Sequence, residues 1–139
     1  MYEFVSCYSD KFPYEEAKSL YEERKHLLIP DKIIPFQEFL SHYNGFVFAV
    51  LVENNFEGVI YLHDFEKKEA KFVSCFLSGY AKPKNAIHTV NAIKLIAQKM
   101  FDDYHLEKIF TKPGNRAAKI CDLRAGFKKY NDDLLVIEV

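Results

Sequence analysis

One segment limits what this chain can fold into more than any other. Ala70 to Tyr80 is a run of β-formers, and Lys82-Pro83-Lys84-Asn85 breaks it as a basic loop. From Ala86 to Tyr104, Val90, Ile93, Ala97, Met100 and Tyr104 then recur at helical spacing, with Ile87, Ile96 and Phe101 widening the stripe. Lys108 to Thr111 reads as a short strand after that helix. A connection this long between two strands of one sheet is a crossover, so the two strands are predicted to run parallel. An apolar stripe that broad packs on a sheet face.

The rest of the chain supplies the other strands. Tyr2 to Tyr8 alternates and reads as a strand. Tyr14 to Leu28 has Ala17, Leu20, Tyr21, Arg24 and Leu28 on one helical face, with Glu15 and Glu16 near the positive helix end, and Pro30 stops it. Pro35 starts a short helix, Phe36 to His42, and Asn44-Gly45 is a turn. Phe46 to Val52 and Phe56 to Phe65 form a hairpin around Glu53-Asn54-Asn55. Glu66 to Glu69 reads as a charged turn into Ala70 to Tyr80, which completes a three-strand antiparallel meander. Past the crossover, Pro113-Gly114-Asn115 leads into a last helix stopped by Gly126. Phe127 to Tyr130 and Leu134 to Val139 close the chain as a hairpin. The predicted class is α/β with a mixed sheet, helices on both faces, in a single domain over residues 1–139.

Composition excludes several classes of function. Hydrophobic residues make up 49% and aromatics 16%, which is a folding chain and not a disordered one. A net charge of −1 argues against a general nucleic-acid binder or a membrane-surface protein. No apolar run reaches the ~18 residues of a membrane span, and the amino terminus lacks a signal-peptide pattern, so a cytoplasmic protein is expected. Cys7, Cys75 and Cys121 are far apart, and His26, His42, His88 and His105 show no metal-binding spacing. Three free thiols and no metal are the expectation, with Cys75 and Cys121 acting as small hydrophobes.

The stretch from Phe72 to Phe127 resembles the acyl-CoA-binding half of the GNAT family of N-acyltransferases, and the element order resembles that fold over essentially the whole chain. The motif match is confined to Lys82–Phe127. Family members carry Arg or Gln, then spaced glycines, before the helix whose amino end faces the coenzyme A pyrophosphate. Free helix-terminal N–H groups and close backbone approach explain that pattern. Here Lys82 stands at the Arg/Gln position, Asn85 at the first glycine and Ile87 at the second, with Lys84 and His88 beside them. Lys82 keeps a positive charge and Asn85 tolerates a left-handed backbone, but a branched Ile87 crowds a phosphate.

Downstream, Asn115, Ala118 and Gly126-Phe127 match the family's Asn, small residue and Gly-Phe. The resemblance implies that Asn115 meets the pantetheine arm or the substrate amine. The tyrosine that many members place seven residues later as general acid is here Asp122. An ionised Asp donates no proton unless its pKa is raised. The strand Leu77-Ser78-Gly79 is implied to pair with the pantetheine arm, its N–H groups holding the acyl carbonyl, and Ser78-Gly79 to mark a bulge that splays the parallel strands. His63 or Asp64, at the end of the second meander strand, is implied as general base. Each residue also has a plainer reading: Asn115 as helix cap, Gly126 as helix stop, Lys82 and Lys84 as loop charges, and His63-Asp64 as a polar strand end.

Two functions therefore compete. One is transfer of an acetyl group from acetyl-CoA, or another acyl-CoA, to a small-molecule or protein amine by direct attack. A homodimer is compatible with it. The other is a GNAT-like protein that binds without catalysis. Virion or head-associated proteins of short-tailed phages look similar through Leu77-Ser78-Gly79, a basic loop without paired glycines, Asn115 and Gly126.

Overall fold

The structure is a computed structural model that describes residues 1–28, 34–43, 46–82 and 86–139, without the side chains of 26–28. The predicted stop at Pro30, the turn at Asn44-Gly45, and Lys84 and Asn85 lie outside the described residues. In chain order the elements are β1 (Tyr2–Ser6), α1 (Tyr14–Leu28), α2 (Phe36–His42), β2 (Val47–Val52), β3 (Asn55–Lys68), β4 (Lys71–Ala81), α3 (Ala86–Tyr104), β5 (Lys108–Thr111), α4 (Arg116–Arg124), β6 (Lys128–Lys129) and β7 (Leu135–Glu138). They form a seven-stranded mixed sheet in the order β1-β2-β3-β4-β5-β7-β6. β4 and β5 pair in parallel, as the crossover through α3 requires.

The chain divides into two compact units, Met1–Tyr61 with Gly79–His88, and Leu62–Ser78 with Thr89–Val139. The first unit is built on an aromatic cluster. Tyr21 and Phe39 are fully buried, with ring centroids 4.8 Å apart, and Phe36, Tyr43, Tyr61 and Tyr80 join them. The Tyr21 hydroxyl donates to the Ile34 carbonyl at 2.8 Å, so its polar end is satisfied inside the cluster. Phe12 belongs to this core and is buried, not exposed as its place in a polar turn suggests. β1 ends at Ser6, two residues short of the predicted Tyr8, where Ser9 N–H donates to the Ser6 carbonyl and turns the chain.

In the second unit, α3 buries Val90, Ile93, Ile96, Ala97 and Met100. Its predicted stripe is shorter than expected, since Ile87 and Tyr104 at the two ends are exposed. α4 ends in a Schellman motif: Gly126 N–H donates to the Leu123 carbonyl and Phe127 N–H to the Asp122 carbonyl. Gly126, at φ +110°, supplies the backbone that this stop needs. Phe127 then buries its ring, and the Asn131 side chain accepts from the Asp133 and Leu134 N–H groups to turn β6 into β7.

The meander runs longer than the charge pattern suggests. Glu66-Lys67-Lys68 continues β3, and the turn is the pair Glu69-Ala70, both in the left-handed region at φ +52° and +66°. Two left-handed central residues are the signature of a type I′ hairpin turn. Higher up the same two strands, Gly58 and Gly79 lie where side chains do not fit. A Cβ on Gly58 would sit 2.6 Å from the Tyr80 carbonyl oxygen, and one on Gly79 would sit 2.6 Å from that of Val59. The glycine in Leu77-Ser78-Gly79 thus serves close approach to the β3 side. Replacing either Gly58 or Gly79 by Ala is expected to destabilise the protein by about 1–3 kcal/mol, as overpacking against backbone does. Urea denaturation checks this, with an unchanged midpoint as the contrary result.

Candidate functional site

The second unit brings three of the sequence-predicted residues into contact. His63 Nδ1 lies 2.9 Å from Asp64 Oδ2, and His63 Nε2 lies 2.8 Å from Ser78 Oγ. An ionised carboxylate only accepts, so Nδ1 donates to Asp64. In the ring's neutral form Nε2 then accepts, and the Ser78 hydroxyl donates. The Phe76 ring lies 5.8 Å from the imidazole with the planes inclined by 28°. Phe76 and Ser78 are two residues apart on β4 and so share a face.

The backbone explains how neighbours in sequence come to touch. Successive strand residues face opposite sides of a sheet, so Asp64 would normally point away from His63. Asp64 instead sits at φ +51° within β3, a conformation that Asp tolerates better than most residues and that re-aims a side chain as a bulge does. Asp64 is inside the strand, four residues before its end at Lys68, and not beside the hairpin turn as the charge run Glu66 to Glu69 suggests. The His63 side chain keeps 19% exposure, enough for solvent or a small molecule to reach it.

On the other side of β4 the parallel ladder is short. Its paired positions are Ser74 with Lys108, Cys75 with Ile109 and Phe76 with Phe110. One residue on, the Leu77 carbonyl takes a hydrogen bond from the buried Thr111 hydroxyl at 2.8 Å. A side chain thus fills the position that the next ladder bond would use. The pairing stops before Ser78.

α4 begins at Asn115, whose Oδ1 accepts from the Ala118 N–H at 2.9 Å. The capping role is therefore real, and it uses the oxygen alone. Ala118, Cys121, Asp122 and Ala125 form the inner stripe of this helix, and Asp122 is buried. Burial pushes its carboxyl up to about 7. The sequence leaves Asp122 as a donor only on the condition that its pKa is raised, and burial supplies that rise. Its place on the inward stripe with Ala118 is the sequence signal for that burial.

In the first unit, the Lys82 ammonium lies over the Phe56 ring at 5.5 Å from its centroid. His88 Nδ1 meets the Tyr2 hydroxyl at 2.8 Å. The first turn of α3 holds no acidic residue, and Ile87 within it is 64% exposed. Ile87 is therefore not packed into the protein, and the turn keeps the electropositive character of a helix start.

Burial raises all three thiols, Cys75 to about 12, so none is a thiolate at neutral pH. Among the described residues, no group of three or more His, Cys, Asp or Glu side chains forms a metal site. No helix among them is long and apolar enough to cross a membrane. An open groove of about 870 Å³ in the second unit, lined by Phe101, His105, Leu106 and Ile137 among others, contains none of the predicted site residues.

The buried Asp122 carboxyl has a measurable consequence. Its folded pKa, about 7, lies above the ordinary 3.8. Below the lower value both states are neutral and its contribution to stability is complete. As pH rises, the unfolded chain ionises first, and stability is lost progressively until the folded group also ionises near 7. Denaturation midpoints are expected to fall from about pH 4 to pH 7 and then level off. Asp122→Asn is expected to flatten that slope and to be the more stable protein at about pH 8. A wild-type slope retained in the variant would assign it to other groups.

No protein-family model matches the sequence, and no curated protein matches it by sequence. Solved structures do match. A GNAT-family acetyltransferase from Bacillus anthracis aligns with a TM-score of 0.73 at 15% identity, covering 99% of this chain and 94% of that one. The N-acetyltransferase PseH of Campylobacter jejuni, solved with acetyl coenzyme A, aligns at 0.66 with 20% identity over 99% of both chains. Spermidine N-acetyltransferase from Vibrio cholerae, solved with coenzyme A and spermine, aligns at 0.74 with 13% identity over 99% of this chain and 95% of that one. At such identities the likeness concerns architecture: the chain has the GNAT fold.

Proposed function

We propose that this protein transfers an acyl group from acyl-CoA to a primary amine by direct attack. The observation that carries the reading is the His63–Asp64–Ser78 constellation, on β3 and β4, where the β4–β5 ladder ends. The fold supports the cofactor, since PseH and spermidine N-acetyltransferase were solved with acetyl coenzyme A and coenzyme A.

Among the described residues, Lys82 and the start of α3 suit an acyl-CoA, while the exposed Ile87 is the side chain that crowds its phosphate. The pyrophosphate needs cationic and N–H donors, and Lys82 with the first turn of α3, which holds no acidic residue, would offer both. Lys84 and Asn85 belong to the same loop by sequence, and Ile87 and His88 border it. Leu77 to Gly79 and the α4 start at Asn115 and Ala118 would hold the pantetheine arm. The bound cofactor supplies the thioester. His63 takes the proton from the incoming amine, directly or through the Ser78 hydroxyl, while Asp64 holds the ring in the accepting tautomer. Main-chain N–H groups of Leu77–Gly79 would steady the carbonyl oxygen. Asp122, partly protonated near neutrality, is the candidate donor to the departing thiolate. The acceptor would be a small amine or a protein amine.

Titration calorimetry with acetyl-CoA, followed by thiol release over a panel of amines, tests this reading. Micromolar binding is expected, weakened several-fold in Lys82→Ala and in Asn115→Ala. His63→Ala is expected to bind as the wild type does and to lose about 10²–10⁴-fold in turnover. No heat at millimolar ligand would overturn the proposal and favour a binding protein without catalysis.

A further inference from the structure

We propose that Ser78 is itself a nucleophile, and that this chain cleaves small activated carboxylic esters through an acyl-Ser78 intermediate. A serine hydroxyl donating to an imidazole, whose other nitrogen donates to a carboxylate, is the arrangement that activates a hydroxyl for acyl transfer. The inference rests on these contacts and needs no coenzyme A.

Three features separate this trio from an incidental polar cluster. The imidazole is fixed on both nitrogens and on one face, by Asp64, Ser78 and Phe76. Its orientation is set before any substrate arrives. Asp64 reaches it with its backbone in the left-handed region, at φ +51°, which costs free energy for a residue with a Cβ. The trio is also reachable, because the His63 side chain is 19% exposed and that of Asp64 75%. A histidine and serine bonded only to satisfy each other would need neither the re-aimed carboxylate nor the access.

The chemistry balances within these residues and water. Ser78 Oγ forms a bond to the ester carbonyl carbon, and its proton passes to His63 Nε2. The bond from that carbon to the alkoxy or aryloxy oxygen breaks, and the leaving group departs with the electron pair. His63 releases its proton to solvent or to the leaving group. It then takes a proton from a water molecule as that water attacks the acyl carbon. The bond from the acyl carbon to Oγ then breaks, Oγ takes the proton back from His63, and the carboxylic acid leaves. One ester and one water become one acid and one alcohol.

The test uses p-nitrophenyl acetate with the full chain. A burst of p-nitrophenolate is expected, with an acetyl group found by peptide mass spectrometry on the Ser78 hydroxyl. Ser78→Ala and His63→Ala are expected to lose the burst and the adduct, and Asp64→Asn to slow both about 10-fold or more. Ser78→Cys is expected to keep an adduct at that position, which guards against reading a folding defect in the Ala variant as lost chemistry. Hydrolysis by Ser78→Ala at the wild-type rate, or acetyl groups on lysines alone, would overturn the proposal. Because the probe carries no coenzyme A, a protein that fails to bind acetyl-CoA still gives a clear answer here, and the reverse also holds.

Discussion

The parallel pairing of β4 with β5 is the constraint on which the second unit depends. The apolar stripe of α3 requires the crossover, and the crossover makes the pair parallel. The pairing spans only three positions, Ser74 to Phe76. The Thr111 hydroxyl then takes the Leu77 carbonyl, so β4 leaves its neighbour without an orphaned acceptor. Ending a ladder inside a sheet normally strands polar groups. Here one buried side-chain hydrogen bond prevents that, and the next residue is Ser78.

Against that fixed edge, β3 contributes a local exception. One left-handed residue, Asp64, turns a plain His-Asp pair in a strand into a carboxylate–imidazole contact. The same ring meets Ser78 on β4, so two strands and one backbone irregularity place three side chains within hydrogen-bond distance. Gly58 and Gly79 act on the same strands, where their lack of a Cβ lets carbonyl oxygens of the opposite strand approach. Backbone geometry, more than any motif, sets the chemistry open to this chain.

Much of the fold is legible in the sequence, because periodicity survives wherever a face is buried. The α3 stripe from Val90 to Met100, the Asn115 cap and the Gly126 stop all appear where helical spacing and capping chemistry put them. Legibility fails where side chains are solvated on both faces. Glu66 to Glu69 reads as a charged turn because nothing apolar alternates there, yet Glu66 to Lys68 continue the strand and the turn is Glu69-Ala70. Phe12 lies in a polar turn and still enters the core, which a local window cannot show. At the site, His63, Asp64 and Ser78 are readable as candidates, but their contact depends on the φ of one residue. For Asp122 the sequence states the condition, a raised pKa, but not whether it holds, since its carboxyl is governed by burial that spacing only hints at.

The measurement that bears most directly on this account is the tautomer of His63, read from its imidazole ¹⁵N shifts at mildly alkaline pH. A proton held on Nδ1, with Nε2 as the accepting nitrogen, is predicted, together with a clear Nε2 shift in Ser78→Ala and weaker Nδ1 retention in Asp64→Asn. A ring protonated on Nε2, or one averaging between tautomers and indifferent to both substitutions, would contradict it.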